Sequence, residues 1–163
     1  MPILLKTVAV AAGLLLGVVL AGLSGATFFL WPTSVADRSL QITPANLDQL
    51  AKLKAERKFV EDKEHLYFGA PSEVERAKAQ AAVDAAIERL QAELPTTPRR
   101  SVVLGIFKEA QASFPSTESE ERDQFLVYLE RIMGILGISS SGELFKVWRY
   151  GFPYGWFLQN GRV

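Results

Sequence analysis

The strongest hydropathy feature of the chain is an uncharged run over residues 7–31. As a helix of about 25 residues with a rise of ~1.5 Å per residue, this run would be roughly 37 Å long, which exceeds a hydrocarbon core of ~30 Å. Lys6 precedes the run, and Trp31 before Pro32 matches an aromatic residue at a membrane interface. The pattern predicts a single transmembrane helix with its N-terminus in the cytoplasm and the remaining chain outside.

A cleaved signal peptide is the alternative interpretation of this run. The apolar region of a signal peptide has roughly 7–15 residues and ends at small residues, a pattern that Ser24-Gly25-Ala26 and Ser34-Val35-Ala36 both match. Cleavage after Ala36 would require too long an apolar region, and cleavage after Ala26 would leave four large apolar residues at a new N-terminus. We therefore favour a retained anchor over residues 1–32.

Small residues recur at every fourth position of the run. On a helix they form one stripe along which a second backbone can approach closely. We expect the stripe to contact another membrane protein or a second copy of the chain, although small residues are common in membrane helices and also align by chance. The stripe consists of Ala9, Gly13, Gly17, Ala21 and Gly25.

After a polar linker at residues 33–42, apolar positions recur at helical spacing in five stretches between residues 43 and 151. Each apolar stretch follows a helix-start signal, a Thr-Pro pair or a capping box. These signals begin at Thr43, Ser72, Thr97, Thr117 and Ser140. Pro95, Pro115, Gly137 and Gly151 provide the stops. The pattern predicts a compact all-α bundle of about five helices, in which Val83, Ile87, Leu90 and Leu94 form one core stripe.

Residues 59–71 have no helical period. Four charged residues and His65 are followed here by Leu66-Tyr67-Phe68, and we expect a loop whose aromatic side chains fold back onto the core. A metal site built from Glu61, Glu64 and His65 is a weaker interpretation, because the carboxylates lack ligand spacing and Lys63 lies between them.

Composition removes several classes of function. The formal net charge of +0 gives no general attraction to nucleic acid. The absence of cysteine excludes disulfides, thiolate metal sites and thiol nucleophiles, and the single histidine excludes mechanisms with two imidazoles. Carboxylates at residues 118–123 and serines at residues 139–141 fit helix starts better than a glycosidase pair or a nucleophile. We predict no catalytic residue, metal ligand or cofactor.

Arg99 and Arg100 break a local rule, because the helix dipole disfavours cations in a first turn. They are candidates for binding a phosphate, a lipid headgroup or an acidic partner. A solvated pair, or a pair matched with the acidic run at residues 118–121, is the plainer explanation.

The C-terminal tail has four aromatic residues within residues 152–157. We expect these rings to pack over the helices, to insert at a membrane interface, or to contact a partner. The candidate contact residues in the tail are Tyr154, Trp156 and Phe157.

Residues 128–142, YLERIMGILGISSSG, followed by Leu144, Trp148 and Tyr150-Gly151-Phe152, resemble a bacterial family of small all-α domains known only as a domain of unknown function. The resemblance covers the last third of the chain well and extends loosely back to residue 58. It implies an all-helical fold, no activity and no functional residues.

These observations predict an anchor at residues 1–32, a linker at residues 33–42 and a helical soluble domain at residues 43–163. We expect a non-catalytic interaction or accessory module on the outer side of a bacterial inner membrane, docking through the small-residue stripe or the aromatic tail. The alternatives are a carrier of a small apolar ligand or lipid, and a cell-envelope hydrolase. An apolar cavity lined by Phe107, Phe125 and Trp148 would favour the carrier, a polar cleft the hydrolase, and a filled core with an exposed aromatic patch the interaction module.

Overall fold

A computed structural model of the chain describes residue 10 and residues 12–23, 33–115 and 118–151. Six helices and no strand lie in this part of the chain, which confirms the all-helical prediction. Residues 12–23 form α1. The others are α2 (Pro44–Ala55), α3 (Glu73–Glu93), α4 (Arg100–Ala112), α5 (Ser119–Ile135) and α6 (Leu144–Tyr150).

The prediction of a transmembrane helix is wrong. Within the described ranges, no helix combines the length and the apolar character that crossing a membrane requires. Crossing a hydrocarbon core of ~30 Å requires about 20 consecutive apolar residues in one helix, and hydropathy alone does not establish a helix of that length. The predicted single-pass placement in a bacterial inner membrane is therefore not supported.

The starts of α2 and α3 confirm the capping signals in the sequence. The Thr43 hydroxyl accepts the Asn46 N–H at 3.3 Å, and the Asn46 side chain accepts the Thr43 N–H at 2.8 Å. The Ser72 hydroxyl accepts the Glu75 N–H at 3.2 Å. In each case one short side chain satisfies a backbone donor that the helix itself leaves unpaired.

The starts of α4 and α6 differ from prediction. The residue before α4 is Arg99 rather than Thr97, and a distant residue supplies the cap, since the Asp37 carboxylate accepts the Ser101 N–H at 2.8 Å. The residue before α6 is Glu143, with φ of 71°, and the Ser140 hydroxyl instead accepts the Gly142 N–H. A local start signal is overridden here by chain segments that pack against the helix ends.

The bundle is built around α3, which packs against α2, α4 and α5, while α6 packs on α4 and α5. The predicted stripe on α3 is confirmed as core, because Val83, Ile87, Leu90 and Leu94 are all fully buried. Burying each such aliphatic side chain contributes about 1.5–3 kcal/mol.

The end of α5 offers a test of backbone conformation. Gly137 follows α5 with φ of +68°, and the Ile138 N–H bonds to the Met133 carbonyl at 2.9 Å. A Cβ at residue 137 meets nothing within 4 Å, so Gly137→Ala isolates the conformational cost of a left-handed residue. We expect a loss of about 1–2 kcal/mol in the free energy of unfolding, measured by urea titration.

Gly134→Ala is the matched control for this substitution. Gly134 is helical and also has open space at its Cβ position, so alanine should stabilise the protein by up to ~1 kcal/mol. Equal effects of the two substitutions would contradict the assignment of strain to residue 137.

Candidate interaction site in the loop between α2 and α3

Residues 59–70 form a short hairpin in which Asp62 and Tyr67 exchange two backbone hydrogen bonds of 2.8 Å. Side chains alternate between the two faces of such a pair. Tyr67 therefore turns inward and is 4% exposed, whereas Phe68 turns outward and is 85% exposed. Gly69, with φ of +97°, lets the returning segment pass close to the Glu61 backbone, where a Cβ on residue 69 would lie 3.3 Å from the Glu61 nitrogen.

The turn of the hairpin presents a second large apolar side chain. Leu66 is 84% exposed and has φ of 53°, a left-handed conformation that non-glycine residues rarely adopt. This conformation costs about 1–2 kcal/mol and persists only where the surrounding structure imposes it. We call Leu66 and Phe68 together the apolar tip.

The base of the hairpin is anchored in the aromatic core through Phe59. This residue is 1% exposed, has φ of 56°, and its N–H donates to the Tyr128 hydroxyl at 3.0 Å. Its carbonyl accepts the Ala70 N–H at 3.1 Å, which closes the base of the hairpin. The centroid of its ring lies 5.2 Å from the centroid of the Tyr128 ring and 6.5 Å from that of the Tyr67 ring. Both ends of the loop are thus fixed against α5.

Lys58 adds a buried charge beside this anchor. Its side chain is fully buried, and Nζ donates to the Lys54 and Glu56 carbonyls at 2.8 and 3.1 Å and to the Asp84 carboxylate at 2.7 Å. All three ammonium protons are therefore used, as burial of a charge requires. The arrangement joins the C-terminal end of α2 to α3 and leaves no proton of Lys58 for chemistry.

Asp62 organises the turn. Its carboxylate accepts the Glu64 and His65 N–H groups at 3.1 and 3.3 Å, the His65 Nδ1 at 2.9 Å and the Gln124 amide at 3.4 Å. The hydrogen bond from the His65 ring is the main reason why the pKa of Asp62 is lowered. In the described part of the chain, no group of three or more acidic or histidine side chains is placed to hold a metal ion.

The family described as Domain of unknown function (DUF4844) matches residues 41–153, which include this hairpin and its supports. The chain belongs to this family. The match confirms the resemblance to an uncharacterised family of small domains and extends it far beyond the last third of the chain. Comparisons with curated proteins and with solved structures gave no significant match.

The prediction that the aromatic residues of this loop fold back onto the core is half right for the DUF4844 domain. Phe59 and Tyr67 are buried, as expected, but Phe68 points outward with Leu66. The sequence offers no signal for this difference, because Leu66, Tyr67 and Phe68 are all large and apolar and show no alternation of polar and apolar positions.

Arg99 and Arg100 lie at the start of α4 and have different surroundings. The Arg99 Nε donates to the Asp37 carboxylate at 2.7 Å, and the half-exposed Arg99 side chain remains accessible. Arg100 is buried and donates to the Val35 and Ser140 carbonyls at 3.2 and 3.0 Å. Burial, and then the neighbouring Arg38, lowers the pKa of Arg100. The pair therefore holds the linker against α4.

The other predicted contact residues lie apart from the hairpin or outside the described residues. Gly13, Gly17 and Ala21 lie on α1, where the Cβ positions of both glycines are open. The stripe residues Ala9 and Gly25 and the tail residues Tyr154, Trp156 and Phe157 are outside the described ranges.

The Tyr128 hydroxyl should be a measurable support of the hairpin. Tyr128→Phe leaves the buried Phe59 N–H without its acceptor, and we expect a loss of about 1–3 kcal/mol in the free energy of unfolding. Tyr150→Phe, at a side chain 55% exposed, is the control and should change stability by less than ~0.5 kcal/mol. Equal losses in urea titrations would show that the buried hydrogen bond does not fix the loop.

The lowered pKa of Asp62 predicts a pH dependence. A carboxyl group whose pKa is lower in the folded state contributes stability that is present above its unfolded pKa and is lost as pH falls through its folded pKa. The stability advantage of the wild type over Asp62→Asn should therefore shrink as pH is lowered from about 5 to 3. His65→Gln should reduce this shrinkage, and a difference independent of pH in urea titrations would contradict the assignment.

Proposed function

We propose that this DUF4844 protein is a non-catalytic interaction module that docks a partner protein through the apolar tip. The observation that carries the proposal is the exposure of Leu66 and Phe68, at 84% and 85%, on a hairpin whose base is buried. Single exposed apolar residues are common on protein surfaces. Here two large ones, Leu66 and Phe68, lie four and six residues after Asp62, whose carboxylate accepts four hydrogen bonds. Leu66 is also in a costly backbone conformation.

A fixed base favours binding by the tip. The Phe59 and Asp62 hydrogen bonds hold the hairpin in place, so little conformational entropy remains to be lost when a partner covers the tip. Burial of one large apolar side chain contributes about 1.5–3 kcal/mol, so the two residues suit a contact of modest affinity.

The filled core also favours an interaction module over a carrier. The centroid of the Phe107 ring lies 5.9 Å from that of Phe145. The centroid of the Phe125 ring lies 4.2 Å from that of Phe114 and 5.8 Å from that of Trp148. The three rings expected to line a ligand cavity thus contact other aromatic side chains. The aromatic tail residues Tyr154, Trp156 and Phe157 stay predicted as a second contact, and a bacterial origin is proposed from the resemblance alone.

Site-specific photocrosslinking tests the proposal. Benzoylphenylalanine in place of Phe68, in the full-length chain and in the cells that make it, should give discrete adducts with a protein. The control position is Val74, an apolar residue on α3 that is 64% exposed. Adducts should form from residue 68, be absent from residue 74 and weaken about tenfold with Leu66→Ser. Matching adduct patterns at both positions would refute docking by the tip.

A further inference from the structure

The charged side chains that accompany the apolar tip are mostly acidic. Backbone hydrogen bonds join residues 59–62 to residues 67–70 in a single register. Glu61 therefore lies opposite Phe68, and the side chains of opposite residues project from the same face. Glu64 is exposed in the turn that carries the other tip residue. An exposed carboxylate thus accompanies each tip residue, and we call Glu61 and Glu64 the acidic rim.

The basic groups of the hairpin do not reverse this sign. Lys63 is its one lysine or arginine. The Lys63 Nζ lies 4.0 Å from the Glu61 carboxylate, and both side chains are exposed, so water screens this pair strongly. The His65 ring is bonded to the Asp62 carboxylate at 2.9 Å and also interacts with the charge of Glu130 on α5. Carboxylates therefore outnumber cations around the tip.

The first turn of α5 adds negative charge on the core side of the hairpin. Glu121 is buried and accepts the Tyr67 hydroxyl at 3.5 Å. Burial raises the pKa of Tyr67, and the charges of Glu121 and Glu120 raise it further. Both carboxylates therefore lie close enough to the hairpin to add to the negative field around the tip.

Cations at the base of the hairpin are already paired. The Arg57 and Arg76 guanidinium groups donate to the Glu73 carboxylate at 3.0 and 2.8 Å, and together they lower the pKa of Glu73 to about 2. The Lys58 Nζ is bonded to the Asp84 carboxylate. The base thus carries opposite charges bonded to each other, whereas the tip carries an excess of negative charge.

We propose that the partner docked on the apolar tip is a cationic protein, an inference that rests on the proposed function. The partner surface has an apolar pocket for Leu66 and Phe68, and lysine or arginine side chains around that pocket face the acidic rim. Complementary charge favours the encounter, and like charge across an interface costs binding energy. The acidic rim therefore disfavours acidic proteins and also the anionic headgroups of a lipid surface.

A phage-displayed library of random peptides, panned against the purified full-length chain, is the first probe. Peptides that bind the wild type and not Phe68→Ser report the tip. These peptides should combine a large apolar residue with an excess of lysine and arginine. Tip-dependent peptides that are neutral or acidic would overturn the inference, and so would a library in which no peptide depends on Phe68.

Substitutions of opposite charge test the sign of the interaction. Glu61→Gln combined with Glu64→Gln should weaken binding of the selected peptides about three- to tenfold, because two attractive charges are lost. Lys63→Gln should strengthen binding about two- to threefold, because the one repelling cation of the hairpin is lost. Fluorescence anisotropy at low and moderate salt measures both, and salt should weaken the wild type more than the double variant.

The matched control removes two carboxylates from the other end of α3. Glu93 is the last residue of α3, and Asp48 follows Leu47, whose carbonyl accepts the Gln91 amide at 3.4 Å. Asp48→Asn combined with Glu93→Gln changes the net charge equally but should change affinity by less than about twofold. Circular dichroism checks that all variants keep the wild-type fold. Equal losses from the two double variants, or weaker binding with Lys63→Gln, would overturn the inference.

Vesicles of phosphatidylcholine and phosphatidylglycerol distinguish a protein partner from a lipid surface. Phe68→Ser should leave sedimentation of the chain with these vesicles unchanged, since the acidic rim keeps the tip from anionic headgroups. A loss of vesicle binding in this variant would assign the tip to a membrane and overturn the cationic protein partner.

Crosslinking from residue 68 in cells separates this inference from the proposed function. If residue 68 gives specific protein adducts whose yield is the same with Glu61→Gln and Glu64→Gln, docking by the tip stands and the cationic partner is excluded. If residue 68 gives no specific adduct, both proposals fail. A yield that falls with the two rim substitutions and rises with Lys63→Gln supports both.

Discussion

The hydrogen bond from the Phe59 N–H to the Tyr128 hydroxyl is the contact that positions the exposed hairpin between α2 and α3. It fixes a left-handed residue against α5, and the neighbouring Lys58 is fixed on α3 by Asp84. Because the backbone is fixed on both helices just before the hairpin begins, the hairpin has one orientation. Tyr67 then faces the core and Phe68 faces solvent. An exposed phenylalanine on a mobile loop would lose entropy on binding, whereas this one is already placed.

The same reliance on distant contacts governs the opposite end of the bundle. Asp37 caps α4 from the linker, and Arg100 holds the linker through the Val35 and Ser140 carbonyls. Arg38, in the same linker, donates to the Gly137 carbonyl just after α5. Polar contacts between residues far apart in the sequence therefore position both the linker and the hairpin.

Sequence reasoning succeeded where structure follows from neighbours along the chain. Thr43 and Ser72 cap their helices, and Gly137 ends α5, because each signal acts within one helical turn. It was wrong for the transmembrane helix, because none of the described helices is both long enough and apolar enough to cross a membrane, and hydropathy reports only the second property. It also missed Phe68, because the burial of a loop aromatic depends on which face of the hairpin meets α5.

The sequence by itself determined the all-helical class, the positions of the main helices and most of the core, because a period of 3.6 residues is a local property. It also carried the DUF4844 pattern over residues 41–153. Only the tertiary structure decided that Lys58 is buried, that Asp37 caps α4, and that Leu66 and Phe68 are exposed together. Each of these outcomes depends on residues brought together by folding, whose separation along the chain leaves no periodic trace.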